Sequence, residues 1–165
     1  MNEQTTQVIQ QIITFWEANN KNITTFFNKH ADEVYAKQVA PGRNSGIYLM
    51  AHLVAVSDGL FPIFGLGERL YPELEVFAGE SEANITYTAD IIELKAKWED
   101  LNTKLAAEFA KQTPDWWLAR HMNVSEADFA LEPHRNKLNV LLSRASHENY
   151  HRGQLVFLNE QTVSA

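Results

Sequence analysis

Two histidines four residues apart carry the chemistry of this sequence. His147 and His151 lie in the run Ser146-His147-Glu148-Asn149-Tyr150-His151-Arg152-Gly153-Gln154-Leu155. If that run is helical, the two sit one turn apart on one face, with roughly 6 Å of rise between them. Imidazoles so placed can converge on one ion at about 2.0–2.1 Å. The 165 residues include no cysteine. Disulfides, thiolate ligands and a cysteine nucleophile are thereby excluded, and any metal is left to histidine and carboxylate. Ser143, Arg144, His147, His151 and Gln154 share the face, bracketed by Val140 and Leu158. Buried, such a polar patch needs partners, and a metal ion is one; at the surface it is simply solvated.

A third histidine lies on another segment. His52 shares a stripe with Tyr48, Leu49, Val56 and Gly59, and is the only strongly polar side chain on it. Alone it reads as a core histidine bonded to a backbone carbonyl. Beside a helix-borne pair it reads as the third ligand of a site with one open position, the pattern of catalytic rather than purely structural zinc-type centres. Asp58, six residues on, points off the stripe and is a weaker ligand candidate. His30, His121 and His134 fall outside the constellation.

The neighbours have two readings each. Glu148 projects about 60° from His151 on a helical wheel, as a general base or as a solvated charge. Arg144 either holds an anionic substrate group or makes a surface ion pair. Gln154 and Tyr48 can bond a ligand ring or the metal's water, or Tyr48 can simply pack. Gly153 costs a helix about 1 kcal/mol relative to Ala, for close approach of a neighbour or by mere tolerance. His147 to His151 also spells H-E-x-x-H, the zinc-peptidase pattern with glutamate as general base. No histidine follows His151, and the extended H-x-x-G-x-x-H form is absent.

Four segments with helical periodicity must position these residues. The first, about 4–28, repeats Val8, Ile9, Ile12, Ile13, Trp16, Ile23, Phe26 and Phe27. The second, about 45–61, starts at a capping Ser45 and is limited by Pro62. The third, about 89–111, carries Ile91, Leu94, Trp98, Leu101, Leu105 and Phe109. The fourth runs from Pro133 to about Asn159, with Leu138, Leu141, Leu142, Ala145, Leu155 and Leu158. The expectation is an all-α, single-domain four-helix bundle over 1–165, with a long acidic crossover connection between helices two and three. That connection is long enough to be functional or mobile. Ser125 to Asp128 resembles a capping box for a short turn before helix four.

The net charge of -7 and the scattered Lys and Arg argue against nucleic acid as a partner. No apolar run approaches the roughly 18 residues of a membrane span, and the polar start MNEQTTQ lacks signal-peptide order. A cytoplasmic protein acting on a small molecule is expected.

A histidine on the second helix within Ala51-His52-Leu53, followed by H-x-x-x-H-x-G-Q-L on the last, resembles the DinB-like family of metal-binding bundles. The resemblance spans nearly the whole chain. Tyr48 stands where such proteins often have tryptophan, a departure that leaves the ligands untouched. The resemblance implies a left-handed four-helix bundle, frequent homodimers, and a three-histidine site for one zinc, nickel, iron or manganese ion. It also implies, for some members, transferase or isomerase activity with a low-molecular-weight thiol, and for many no known activity. The function expected is therefore a metal-dependent hydrolase or thiol-dependent transferase. The alternatives are a non-catalytic metal-binding or sensing module and, after it, a metallopeptidase.

Overall fold

The computed structural model describes residues 3–160, with side chains through residue 158. The periodicity of the first segment becomes α1 (Glu3–Lys29), whose buried face is Ile9, Ile13, Trp16, Ile23 and Phe27. Next comes α2 (Gly46–Asp58), started by Ser45, whose side chain accepts from Tyr48 N at 3.1 Å. The sequence places a stop at Pro62, but the helix breaks at Gly59 and resumes as α3 (Leu60–Phe64). Pro62 thus falls in the first turn of α3, where a missing N–H costs little. Gly65, at φ 72°, ends α3 in the left-handed conformation that favours glycine.

Asp90 caps α4 (Ile91–Phe109) by accepting from Ile92 N and Glu93 N. Thr113 caps α5 (Pro114–Leu118). Ser125 caps α6 (Glu126–Leu131), and its hydroxyl donates back to Asp128, so the capping signal is realised with aspartate. The fourth segment starts later than Pro133. Asn136 caps α7 (Lys137–Leu155), and a last short turn is α8 (Phe157–Glu160). No strand occurs among the described residues; two isolated bridges, Gln38 to Ser45 and Arg120 to Asn136, pin loops.

The chain is all-helical. α1 packs against α4 and α7, and α2 packs against the same two, closing a ring α1–α4–α2–α7. Trp16, Phe27, Trp98, Phe109 and Trp117 fill its interior together with the apolar residues of α2. Gly46 lets α2 begin there. A Cβ at that position would lie 2.8 Å from Leu158 Cδ1 and 2.9 Å from Tyr35 Cα, closer than real contacts allow.

The expectation that no apolar run is long enough to span a membrane needs correction. Residues Gly46–Phe64 form a 19-residue stretch of mean hydropathy 1.6, sufficient by length and composition, with 72% of the window buried inside the fold. It includes the fully buried Asp58, which has a structural use.

The long connection between α3 and α4 lies along α2 as a strap, bonded to it at every turn. Asp58 accepts from Leu70 N and Tyr71 N at 2.8 and 3.0 Å. Arg69 donates to the carbonyl of Ala55 at 2.8 Å. His52 donates to the carbonyl of Phe77, and Tyr48 to that of Glu80, each at 2.7 Å. Ser45 donates its N–H and hydroxyl to Glu82. Leu74 and Phe77 bury the strap's apolar side.

Candidate metal centre

Contact between α2 and α7 brings three imidazoles together. His52 Nε2 lies 3.2 Å from His147 Nε2, which lies 3.0 Å from His151 Nε2. The ring planes cross at 58°, 71° and 83°. The rings therefore present edges to a common point instead of stacking. Two nitrogens at about 2.0–2.1 Å from one ion stand roughly 3.0–3.4 Å apart for right-angle to tetrahedral coordination. The two measured separations fall in that range.

The ring protons make two of these nitrogens acceptors. His52 Nδ1–H donates to the carbonyl of Phe77, and His151 Nδ1–H donates to Gln154 Oε1 at 2.8 Å. Each bond fixes the tautomer whose Nε2 carries a lone pair, as the outer partners of metal-bound histidines do. Burial lowers the pKa of all three rings. At His52 the Phe77 carbonyl opposes this, and the His151 and Arg144 charges add to it. At His151 the Gln154 bond opposes it. His147 falls furthest, to about 4, through burial and then the charges of His151, Arg144 and His52. His147 Nδ1 is closed to solvent without a partner, so no bond fixes the proton of that ring as Phe77 and Gln154 fix the other two. The donor set fits a divalent ion held by three imidazoles, and no other group of histidine or acidic residues among the described residues gathers in this way.

Of the remaining expected residues, Gln154 takes the place proposed for it, on a ligand ring. Tyr48 instead stacks on His52, with ring centroids 6.1 Å apart at 14°, and its hydroxyl is spent on Glu80. Arg144 is partly buried, its Nε is closed to solvent without a partner, and no ion pair holds it, contrary to the surface-pair reading. Asp58 belongs to the strap. Gly153 is exposed with open space where a Cβ would stand, so no close approach requires it. His30, His121 and His134 stay apart from the triad.

Glu148 is neither a solvated charge nor placed as a general base. It is fully buried. Ser57 Oγ donates to its Oε1 at 3.4 Å, Trp16 donates its indole N–H, and the Asn20 amide, turned to suit its neighbours, donates to Oε2 at 3.2 Å. No histidine is among these partners. Burial pushes its pKa up to about 8, against the opposing pull of Arg144, Trp16 and Ser57.

Sequence reasoning missed Phe77, Ser57, Trp16 and Asn20. Phe77 acts through a carbonyl, which leaves no trace in residue type. Trp16 and Asn20 sit one turn apart on α1, and an asparagine on an otherwise apolar stripe was the available sign of a buried polar partner. Beside the triad, Leu49, Tyr150 and Gln154 border a surface cavity of about 460 Å³ that also touches Arg43 and Phe157. Tyr150 packs edge-on against His151 with centroids 5.0 Å apart.

A model of the DinB family matches residues 1–162 of the chain. No curated protein matches it.

Proposed function

The chain belongs to the DinB family, and from that premise we propose that it binds one divalent cation on His52, His147 and His151 and uses it on a small molecule, by hydrolysis or by transfer involving a low-molecular-weight thiol. The observation that carries this reading is the convergence of three Nε2 atoms, at 3.0 and 3.2 Å, from two helices. We read the closed ring of α1, α4, α2 and α7 as a four-helix bundle with the strap as its crossover, working as a cytoplasmic homodimer. Zinc, nickel, iron and manganese all suit an imidazole site.

A divalent ion with an open position supplies Lewis acidity and, by lowering the pKa of water or of a thiol, a nucleophile near neutral pH. The chain's own residues do the rest. Phe77 and Gln154 hold two of the rings in the tautomer that leaves Nε2 free. Tyr48 fixes the plane of His52. The cavity bordered by Leu49, Tyr150 and Gln154 offers room for a small substrate beside His151. Glu148, committed to the core, does not serve as the base that an H-E-x-x-H peptidase needs.

The test is metal content after equilibration with each ion in turn. The wild-type chain is expected to retain one ion per chain, and the His147→Ala/His151→Ala double variant none. Retention by the double variant would remove the site. An ester, amide and thiol-conjugation panel on the loaded protein then separates an enzyme from a metal-binding module without turnover.

A further inference from the structure

The end of the strap closes a second cavity against the start of α2. It holds about 320 Å³, and Ser45, Tyr48, Phe77, Glu82 and Tyr87 are among its walls. None of the three histidines of the candidate metal centre lines it. Tyr48 and Phe77 touch both places, since the Tyr48 ring stacks on His52 and the Phe77 carbonyl accepts from it. The cavity is a neighbour of that centre and not a part of it.

Three of its walls are aromatic. The Phe77 ring centroid lies 6.0 Å from that of Tyr48 and 5.9 Å from that of Tyr87, with the planes crossing at 55° and 86°. Rings at these angles do not stack on one another, so faces remain for a guest. Tyr48 and Phe77 are buried, and the exposed Tyr87 gives the cavity a side open to solvent. Glu82 is the one charged side chain among the lining residues. It is partly buried, and its two oxygens accept from the Ser45 N–H and hydroxyl, neither of which carries a charge. A carboxylate has about four lone-pair sites, so two of them stay open. A partly buried anion with neutral partners gains from a cation beside it. Aromatic faces, negative by their quadrupole, favour the same sign of guest. Ile47 and Ile85 complete the wall with apolar surface, which suits a cation clothed in alkyl groups better than a hydrated metal ion. We propose that this cavity binds a small alkylammonium ion, with its cationic head between Glu82 and the rings of Tyr48, Phe77 and Tyr87. The inference does not depend on the cation site proposed above.

The experiment titrates the whole isotope-labelled protein with choline and, separately, with its uncharged carbon isostere, in which a tert-butyl group replaces the trimethylammonium. Binding is followed through the amide chemical shifts. Choline is expected to bind about 10-fold more tightly than the isostere, with shifts gathered at Ser45, Tyr48, Phe77, Glu82 and Tyr87. Glu82→Gln should lose most of that preference. Tyr87→Leu should weaken choline binding by about 3- to 10-fold, while Tyr87→Phe, which keeps the ring, stays near wild type. Tyr87 is exposed, so this pair reads the site without disturbing the core even where Glu82→Gln loosens the start of α2. Equal affinity for choline and the isostere in the wild-type protein would overturn the proposal. So would choline shifts scattered over the surface, the mark of mere attraction to a net charge of -7, or wild-type choline affinity in a folded Tyr87→Leu.

Discussion

Two polar clusters sit one residue apart on α7 and meet the cost of burial in opposite ways. Glu148 faces inward, and the fold supplies its partners: a hydroxyl from α2, an indole and an amide from α1. His147 faces the α2 seam, where the fold holds two more ring nitrogens as acceptors and gives the His147 Nδ1 no partner. The first cluster is complete as folded. The second leaves lone pairs that a cation could take. A single turn of helix can thus hold a structural acid and a ligand-binding base, and residue type alone does not say which is which.

The sharpest break in this comparison is removal of the cation. A ligand that binds only the folded state at a thousandfold excess over its Kd stabilises it by about 4 kcal/mol. Wild-type protein should therefore melt well below its metal-loaded form when treated with chelator. The His147→Ala/His151→Ala variant should show no such difference. An equal response to chelator in both would separate the metal's effect from these rings.

Glu148→Ala comes next. It strands Asn20 and Ser57 without their acceptor and should cost about 2–4 kcal/mol in denaturant unfolding. Metal stoichiometry in the variant that still folds should be unchanged. Loss of the ion together with stability would mean that the two clusters are one.

Smaller is the effect of pH on the metal-free chain. Glu148 keeps in the folded state, up to about pH 8, a proton that the unfolded chain releases near 4.5. Its contribution is full below 4.5 and fades as pH rises to 8. The histidines run the other way. With folded pKa values below 6.5, and that of His147 near 4, they contribute fully above 6.5 and lose that contribution as pH falls. Between pH 6.5 and 8 the slope of these groups belongs to Glu148. Melting temperature should decline across that window, and Glu148→Gln should flatten it. A slope that survives the substitution would assign the effect elsewhere.

Smallest is Gly153→Ala. Its Cβ meets open space, and the change should stabilise by up to about 1 kcal/mol with metal content unaltered. Destabilisation would reveal a neighbour there that the fold does not show.

Much of this was legible in the sequence. The spacing of His147, His151 and Gln154 gives their common face directly, and the solitary polar side chain on the stripe of α2 singles out His52. Helix periods placed α1 and α4 well. Pro62 misled because a proline in a first turn and a proline at a stop look alike until Gly59 shows where the break falls. Glu148 misled for a deeper reason. A helical wheel gives the angle from His151 but not which neighbour occupies that angle, and here Trp16 and Asn20 arrive from more than a hundred residues earlier. The bonds that orient His52 were out of reach, since a carbonyl acceptor can belong to any residue.

Loops of this length usually absorb insertions and deletions with little consequence. The stretch from Tyr71 to Glu82 should not. Its backbone at Tyr71, Phe77 and Glu80 and its Glu82 carboxylate bond to the turns of α2 from Asp58 back to Ser45, so adding or removing a residue there would carry the carbonyl of Phe77 away from His52 and leave that ring free to turn. Insertions and deletions should therefore be better tolerated on either side of that stretch than within it, and a surface connection is held to a residue count as the helix beneath it is.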